Sequence, residues 1–449
     1  MIEYLKNILV MVKQSKGVKS VAKNTLWLFF DKIFKGTIGL AVGALFARYL
    51  GPERYGALSY AISFVSLVYV LGKLGLDNIV IREIIQDDKR QDALLGTAFN
   101  LNLIGGFIVF LVSVALIYLM KPHDDLIVTL VIIISLGYIF QAFNVIDLWF
   151  QSQLKSKYAA ISSNIVVFIF FLAKVMLVIL HASLVTLALV ITLELLFSGI
   201  GLWITYKLLG FTLKTWKFSA KIALVLFKDS WPLILSGLAI MVYMRIDQIM
   251  IGNITGEKEL GIYSVAVTIS EIWYFIPMAI FSSVYPKIIE FRQRSQYLYF
   301  KRLQQLFNFM VHLGYSVAIF FMFFSKPIIS IVFGQEYLQA ASILSIHIWT
   351  GVFIGLGVAS EQFLLAENFT KISFYRAGTG AVFNIILNLI LIPKYGGIGA
   401  AIATLIAQFM AGYFFDLFNS HTRKTFFMKT RSLFFMPGYT RFTKSLERL

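Results

Sequence analysis

The chain has no cysteine among its 449 residues. Disulfides, zinc–thiolate sites, iron–sulfur clusters and thiol nucleophiles are therefore excluded. Charge is also scarce: only 14% of residues are Asp, Glu, Lys or Arg, against about a quarter in soluble domains. The five histidines are scattered without ligand spacing, so no metal site is expected. No G-x4-G-K-[ST] sequence occurs, and no nucleotide hydrolysis is expected. No apolar segment carries paired carboxylates or a Ser/His arrangement in an active-site setting. The outer connections are too short to house a polymerase or ligase site, so the chain is read as not an enzyme. No cofactor is expected beyond a coupling ion, Na⁺ or H⁺.

What is present is apolar. Hydrophobic residues make up 59% of the chain, and mean hydropathy is +0.79. Runs of 20 or more apolar residues recur end to end, which is the signal of membrane-spanning helices. Twelve spans are predicted, at about 24–48, 57–80, 94–120, 126–150, 158–181, 184–207, 229–252, 261–285, 303–325, 341–365, 372–393 and 396–419. Net charge is +17, but the Lys and Arg residues lie between the spans, so topology explains them better than nucleic acid does. One alternating set of connections carries about 29 Lys and Arg residues, the other 6. The richer set is read as cytoplasmic, with both termini inside a cytoplasmic (inner) membrane. Residues 1–23 lack a cleavable signal pattern and read as a basic cytoplasmic lead-in. Two six-helix lobes follow, 24–207 and 229–419, joined by a basic amphipathic helix at 208–228. Residues 420–449 form a basic tail expected to lie along lipid headgroups.

The lobes are copies of one unit. At a shift of 205, Gly51 meets Gly256, Gly56 meets Gly261, Ser59 meets Ser264 and Ala61 meets Ala266. Later spans align better at 214, where Asp147 meets Glu361, Lys157 meets Lys371 and Lys174 meets Asn388. Six spans per copy keep the direction, so the repeat is parallel and a substrate path is expected between the lobes. The fold class is an all-α polytopic membrane protein.

Ionisable groups inside spans cost about 2.5–3.5 kcal/mol or more each and mark pathways or buried pairs. Span one has Asp31, Lys32 and Lys35; Asp31 and Lys35 are four apart and can pair. Span five has Lys174 and span six Glu194, which either line a path or pair with each other. Span seven has Arg245 and Asp247, about 200° apart on a helix, so they face different neighbours. Span eight has Glu271. Asp147, Glu361, Lys73 and Arg376 sit near inner ends, where snorkelling to water competes with a role. Lys35, Lys174 and Arg245 are the best candidates for a cationic cavity, which suits an anionic substrate such as a phosphate.

The runs ARYLGPERYGALSYA, RIDQIMIG and NIILNLILIPKYGGIGAAIATLIAQ (384–408) resemble the bacterial and archaeal oligosaccharide flippases. These are polysaccharide biosynthesis transporters of the multidrug/oligosaccharidyl-lipid/polysaccharide exporter superfamily. The resemblance covers roughly residues 20–420. It implies a V of two lobes that moves a polyprenyl-diphosphate-linked oligosaccharide from the cytoplasmic to the outer leaflet by alternating access, as a monomer. The glycan is destined for O-antigen, capsule or exopolysaccharide; a polysaccharide polymerase and chain-length regulator are further candidate partners. It implies a cationic cavity of Lys32, Lys35, Lys174 and Arg245. Twelve spans, not the fourteen of the related lipid II flippases, argue against a peptidoglycan precursor. Those relatives bind sodium with spans seven, eleven and twelve; here Asp247, Asn384, Asn388 and Thr404 supply oxygens of that kind. The alternative is that the asparagines only bridge helices. Ion coupling is expected through Asp31, Glu194, Asp247, Glu271 or Glu361. Rival readings are a multidrug cation antiporter of the same superfamily and, from another class, a membrane polysaccharide polymerase or ligase.

Overall fold

A computed structural model describes residues 16–87, 90–367 and 369–436. Among these residues every regular element is a helix. Hydrocarbon offers no water to a backbone N–H or C=O, so a spanning segment must satisfy its own. The helices are α1 (Lys16–Lys73), α2 (Asp77–Gln86), α3 (Gln91–Met120), α4 (Asp125–Ile139), α5 (Val145–Ser152), α6 (Ser156–Ile179), α7 (Leu184–Leu208), α8 (Ala220–Ile254), α9 (Glu257–Glu271), α10 (Phe275–Arg294), α11 (Gln296–Val332), α12 (Ala340–His347), α13 (Thr350–Ala366), α14 (Thr370–Gly412) and α15 (Arg423–Leu433).

Ten helical stretches among the described residues are long and apolar enough to cross a bilayer. Two are too long for one crossing: Asn24–Gln86 has 63 residues and Lys371–Leu417 has 47. At about 1.5 Å per residue they far exceed the roughly 30 Å of hydrocarbon. Each is broken by a glycine at positive φ, Gly51 (70°) in α1 and Gly396 (54°) in α14. Residues with a Cβ rarely adopt such angles. Pro52 follows Gly51 at the start of the new helix, where its missing N–H leaves nothing unpaired. The ten stretches thus provide twelve crossing segments, and the chain is a multi-pass membrane protein.

The repeat is visible in the helix starts. Gln91 and Gln296, 205 apart, open α3 and α11; Ser156 and Thr370, 214 apart, open α6 and α14. Gly51 (φ 70°, ψ 170°) and Gly256 (φ 93°, ψ 174°) share one conformation.

The chain forms two compact units. One holds residues 57–238 with the chain before Gly51; the other holds Gly51–Gly56 and everything from Ala239 on. Within the second unit, a Cβ on Gly56 would stand 1.7 Å from the Glu257 carbonyl oxygen, and one on Gly261 would stand 1.9 Å from that of Pro52. Pro52 and Glu257 are themselves 205 apart, so the two backbone approaches involve repeat-equivalent residues.

The first unit's core gathers Ile79 and Val80 of α2, Leu95 of α3, Trp149 and Phe150 of α5 and Tyr206 of α7. The second unit's gathers Ile288 of α10, Phe307 and Met310 of α11, Leu356 and Phe363 of α13 and Met428 of α15.

The connection expected to be one amphipathic helix over 208–228 is different. Gly210 takes a φ of 89° and ends α7; only Leu213–Thr215 form a short 3₁₀ turn before α8 opens at Ala220. The segment is held to the first unit instead. Trp216 packs edge-on to Phe99 and Tyr206, and the Ser219 N–H donates to the Thr97 hydroxyl at 3.0 Å. Aromatic burial wins over helix formation there. The tail contains α15, which buries Thr425, Met428, Lys429 and Ser432 against the second unit. Parts of the lead-in (1–15) and of the tail (437–449) lie outside the described residues.

Candidate functional site

In the first unit the interior charges form acid–base pairs. On α1 the Lys35 ammonium donates to Asp31 at 2.9 Å, one helical turn away. Lys32, about 100° round the helix, is exposed and meets no carboxylate among the described residues. Lys174 of α6 is buried and pairs with Glu194 of α7, joining two antiparallel neighbours. Pairing, one of the two readings for these residues, is present. Asp147 of α5 accepts from Gln151 at 3.0 Å and is half-buried.

The second unit holds a larger polar cluster. The Arg245 guanidinium donates to Glu271 at 2.9 Å, linking α8 to the end of α9. Two residues on, Asp247 takes other partners, as a 200° separation requires. One carboxylate oxygen accepts from the hydroxyls of Tyr263 and of Thr404, the latter at 3.2 Å; the other accepts from the Gln248 N–H at 2.7 Å. Asn384 donates to Thr404 at 3.2 Å, and Asn388 to Asn384 at 2.9 Å. The network joins α8, α9 and both halves of α14, and all five side chains are buried. The Asn388 carboxamide oxygen has no hydrogen-bond partner among the described residues. Glu271's neighbourhood continues through Tyr274 to Thr350 (2.6 Å) and Ser270 to His347 (2.8 Å).

The sequence profile of a family described as "Polysaccharide biosynthesis protein" matches residues 21–292, more than half of the chain. The chain belongs to that family. A second profile, MatE, matches residues 232–390. The chain is 23% identical over 399 residues to the capsular polysaccharide biosynthesis protein CapF of Staphylococcus aureus, covering 87% of this chain and 97% of that one. It is 24% identical over 412 residues to a putative O-antigen transporter of Shigella flexneri, covering 86% and 94%. Among solved structures, the lipid II flippase MurJ in an inward closed conformation matches with a TM-score of 0.69 at 19% identity, over 95% of this chain and 93% of that one. An inward-facing MATE family multidrug resistance transporter matches at 0.66 and 16%, over 91% and 96%. The fold is therefore that of the MOP superfamily. Family members are transporters or flippases, not enzymes.

In this family member, three of the four cations named for the cavity, Lys35, Lys174 and Arg245, are each held by a carboxylate, and Lys32 alone is not. Four ion-coupling candidates, Asp247, Asn384, Asn388 and Thr404, meet in one network. Glu361 of α13 is half-buried and stands apart from it, within electrostatic reach of Lys429.

For Arg376 the sequence leaves snorkelling and an interior role open. It does not snorkel: it is 7% exposed, and its guanidinium donates to the Ala411 carbonyl at 3.0 Å and the Ser360 hydroxyl at 2.9 Å, beside Asp416. Lys429 of α15 reaches into the same place. It donates to Asp416 at 2.7 Å and to the Gly412 carbonyl at 2.6 Å. Burial pulls the Lys429 ammonium down to about 8, against the opposing pull of Asp416. Tyr263 and Asp416 carried no sequence signal beyond residue type. They are found only by folding the chain.

Proposed function

We propose that the protein is a flippase that moves a polyprenyl-diphosphate-linked oligosaccharide from the cytoplasmic to the outer leaflet, driven by Na⁺ or H⁺. Family membership over residues 21–292 and the full-length likeness to CapF and to the putative O-antigen transporter support the substrate class. The observation that carries the mechanism is the pairing of interior cations with carboxylates.

At either pair an incoming phosphate competes with the carboxylate: with Asp31 for Lys35, or with Glu271 for Arg245. Guanidinium binds a phosphate through two parallel N–H donors, as it binds a carboxylate. The displaced carboxylate is then unpaired in a poorly hydrated interior, at a cost of several kcal/mol. A proton on that carboxylate removes the cost, and Na⁺ in the Asp247 network, within electrostatic reach of Glu271, reduces it there. Substrate binding and ion binding therefore favour each other, with a coupling free energy that acts equally in both directions. For Na⁺ the donor set is Asp247, Thr404, Asn384 and Asn388: all oxygen, one negative charge, and one carboxamide oxygen without a partner. Such a set fits a hard monovalent cation.

Purified protein in liposomes should bring a labelled polyprenyl-diphosphate oligosaccharide within reach of an external glycosidase. Unchanged movement with both ion gradients collapsed would remove the coupling. A second reading, a multidrug cation antiporter, draws on the MatE match over residues 232–390. It predicts drug efflux that survives Lys35→Ala.

A further inference from the structure

Between α1 and α6 the first unit has a groove of about 460 Å³, within the range of small-ligand sites. Trp27, Phe30 and Phe34 form one wall; Ile161, Ile165 and Phe168 form most of the other. The residues recur every three or four positions, so each helix gives one stripe along its length. The start of α6 packs beside α1 at Asn24, whose carboxamide oxygen accepts from the Ser156 N–H at 2.8 Å.

Two groups in this apolar setting call for a polar ligand. Asn164 lines the groove and is 8% exposed, yet neither its carboxamide nitrogen nor its oxygen has a hydrogen-bond partner among the described residues. A buried amide left unpaired is destabilising, and a ligand group would relieve it. At the groove's end the Lys157 ammonium sits 5.7 Å from the Trp27 ring. Lys157 is exposed and meets no carboxylate among the described residues. Lys157 and Asn164 are seven apart on α6, hence on one face and about 10 Å apart along it.

We propose that this groove holds the lipid half of the substrate: a diphosphate bridged between Lys157 and Asn164 over Trp27, with its isoprenoid chain along Phe30, Phe34 and Phe168. This rests on the flippase reading. A cation at the end of an apolar groove complements an anion on an apolar chain. The groove's α1 stripe also adjoins Asp31 and Lys35, so the diphosphate held at Lys157 and Asn164 is the state that precedes its competition for Lys35.

The test uses the full-length protein in nanodiscs and a polyprenyl diphosphate with a diazirine on its first isoprene unit. Light should label the peptides holding Phe30–Phe34 and Ile165–Ile169. Excess undecaprenyl phosphate should remove the label, and equal phosphatidylglycerol should not. Lys157→Gln, an exposed change that leaves the core intact, and Asn164→Leu should each cut labelling at least tenfold. Ile165→Trp, which fills the groove, should do the same. Label displaced equally by phosphatidylglycerol would show a general lipid contact and overturn the proposal. So would label elsewhere, or label unchanged in Lys157→Gln. Transport is read separately in liposomes. Flipping that persists in variants without label overturns the groove alone; label without flipping overturns the flippase reading alone.

Discussion

Replacing Arg245 by Met leaves Glu271 without its cation, and replacing Glu271 by Gln leaves Arg245 without its anion. The pair's side chains are 29% and 19% exposed at 2.9 Å, in a segment bounded by lipid. Exposed pairs contribute about 0.2–1 kcal/mol, and breaking a buried one costs about 3–5. This geometry lies toward the buried end, so each single change should cost about 2–4 kcal/mol. In a folding unit of 150–250 residues that is roughly 4–16 °C in Tm. The double variant Arg245→Met with Glu271→Gln removes both charges and should recover most of the stability. Transport separates structure from function. If the guanidinium receives the diphosphate, the double variant regains its Tm but not its flipping. Loss of about 2 kcal/mol of phosphate binding alone weakens affinity roughly 30-fold. Thermal unfolding in detergent, with flipping in liposomes, reads both. A double variant that flips at the native rate would refute the reasoning and leave the pair a structural brace.

Other expectations follow from single positions. Gly261→Ala and Gly56→Ala would each place a Cβ within 2 Å of a carbonyl oxygen, so both should lower stability by about 1–3 kcal/mol or more. Gly36→Ala, which meets nothing within 4 Å, should be neutral or stabilising in the same melt. Lys429 has its folded pKa below its ordinary value of 10.5, so the folded state binds that proton more weakly than the unfolded state. Stability should therefore rise between pH 8 and about 10.5, with the full cost present below 8. Lys429→Met should remove that slope in thermal melts taken across the range. Asp247→Asn should abolish any Na⁺ dependence of transport while leaving substrate labelling in the α1–α6 groove intact.

Much of the fold was legible because lipid imposes simple rules. Apolar run length gave twelve spans, and two glycine-marked turns gave the repeat. The helix starts at Gln91/Gln296 and Ser156/Thr370 carry the same two shifts. Long-range side-chain geometry was not legible. Helical periodicity placed Arg245 and Asp247 on different faces, but not that Glu271 and Tyr263 wait there. Whether Arg376 snorkels was left open, because its place near a span end hides its partner Asp416, 40 residues on. Lys429 looked like one more tail charge, because a surface helix and a docked helix share the same basic composition. The 208–228 segment looked amphipathic. Its tryptophan, however, was spent on the first unit's aromatic core, and propensity lost to burial there.

The central claim is that the protein carries a lipid-linked glycan across the bilayer. Its most direct measurement is the rate at which a fluorescent polyprenyl-diphosphate oligosaccharide, loaded into proteoliposomes, becomes sensitive to external glycosidase. Protein-dependent movement that accelerates with an imposed Na⁺ or H⁺ gradient is the predicted result. Movement no faster than in protein-free liposomes, with the native fold verified by thermal melt, would contradict it.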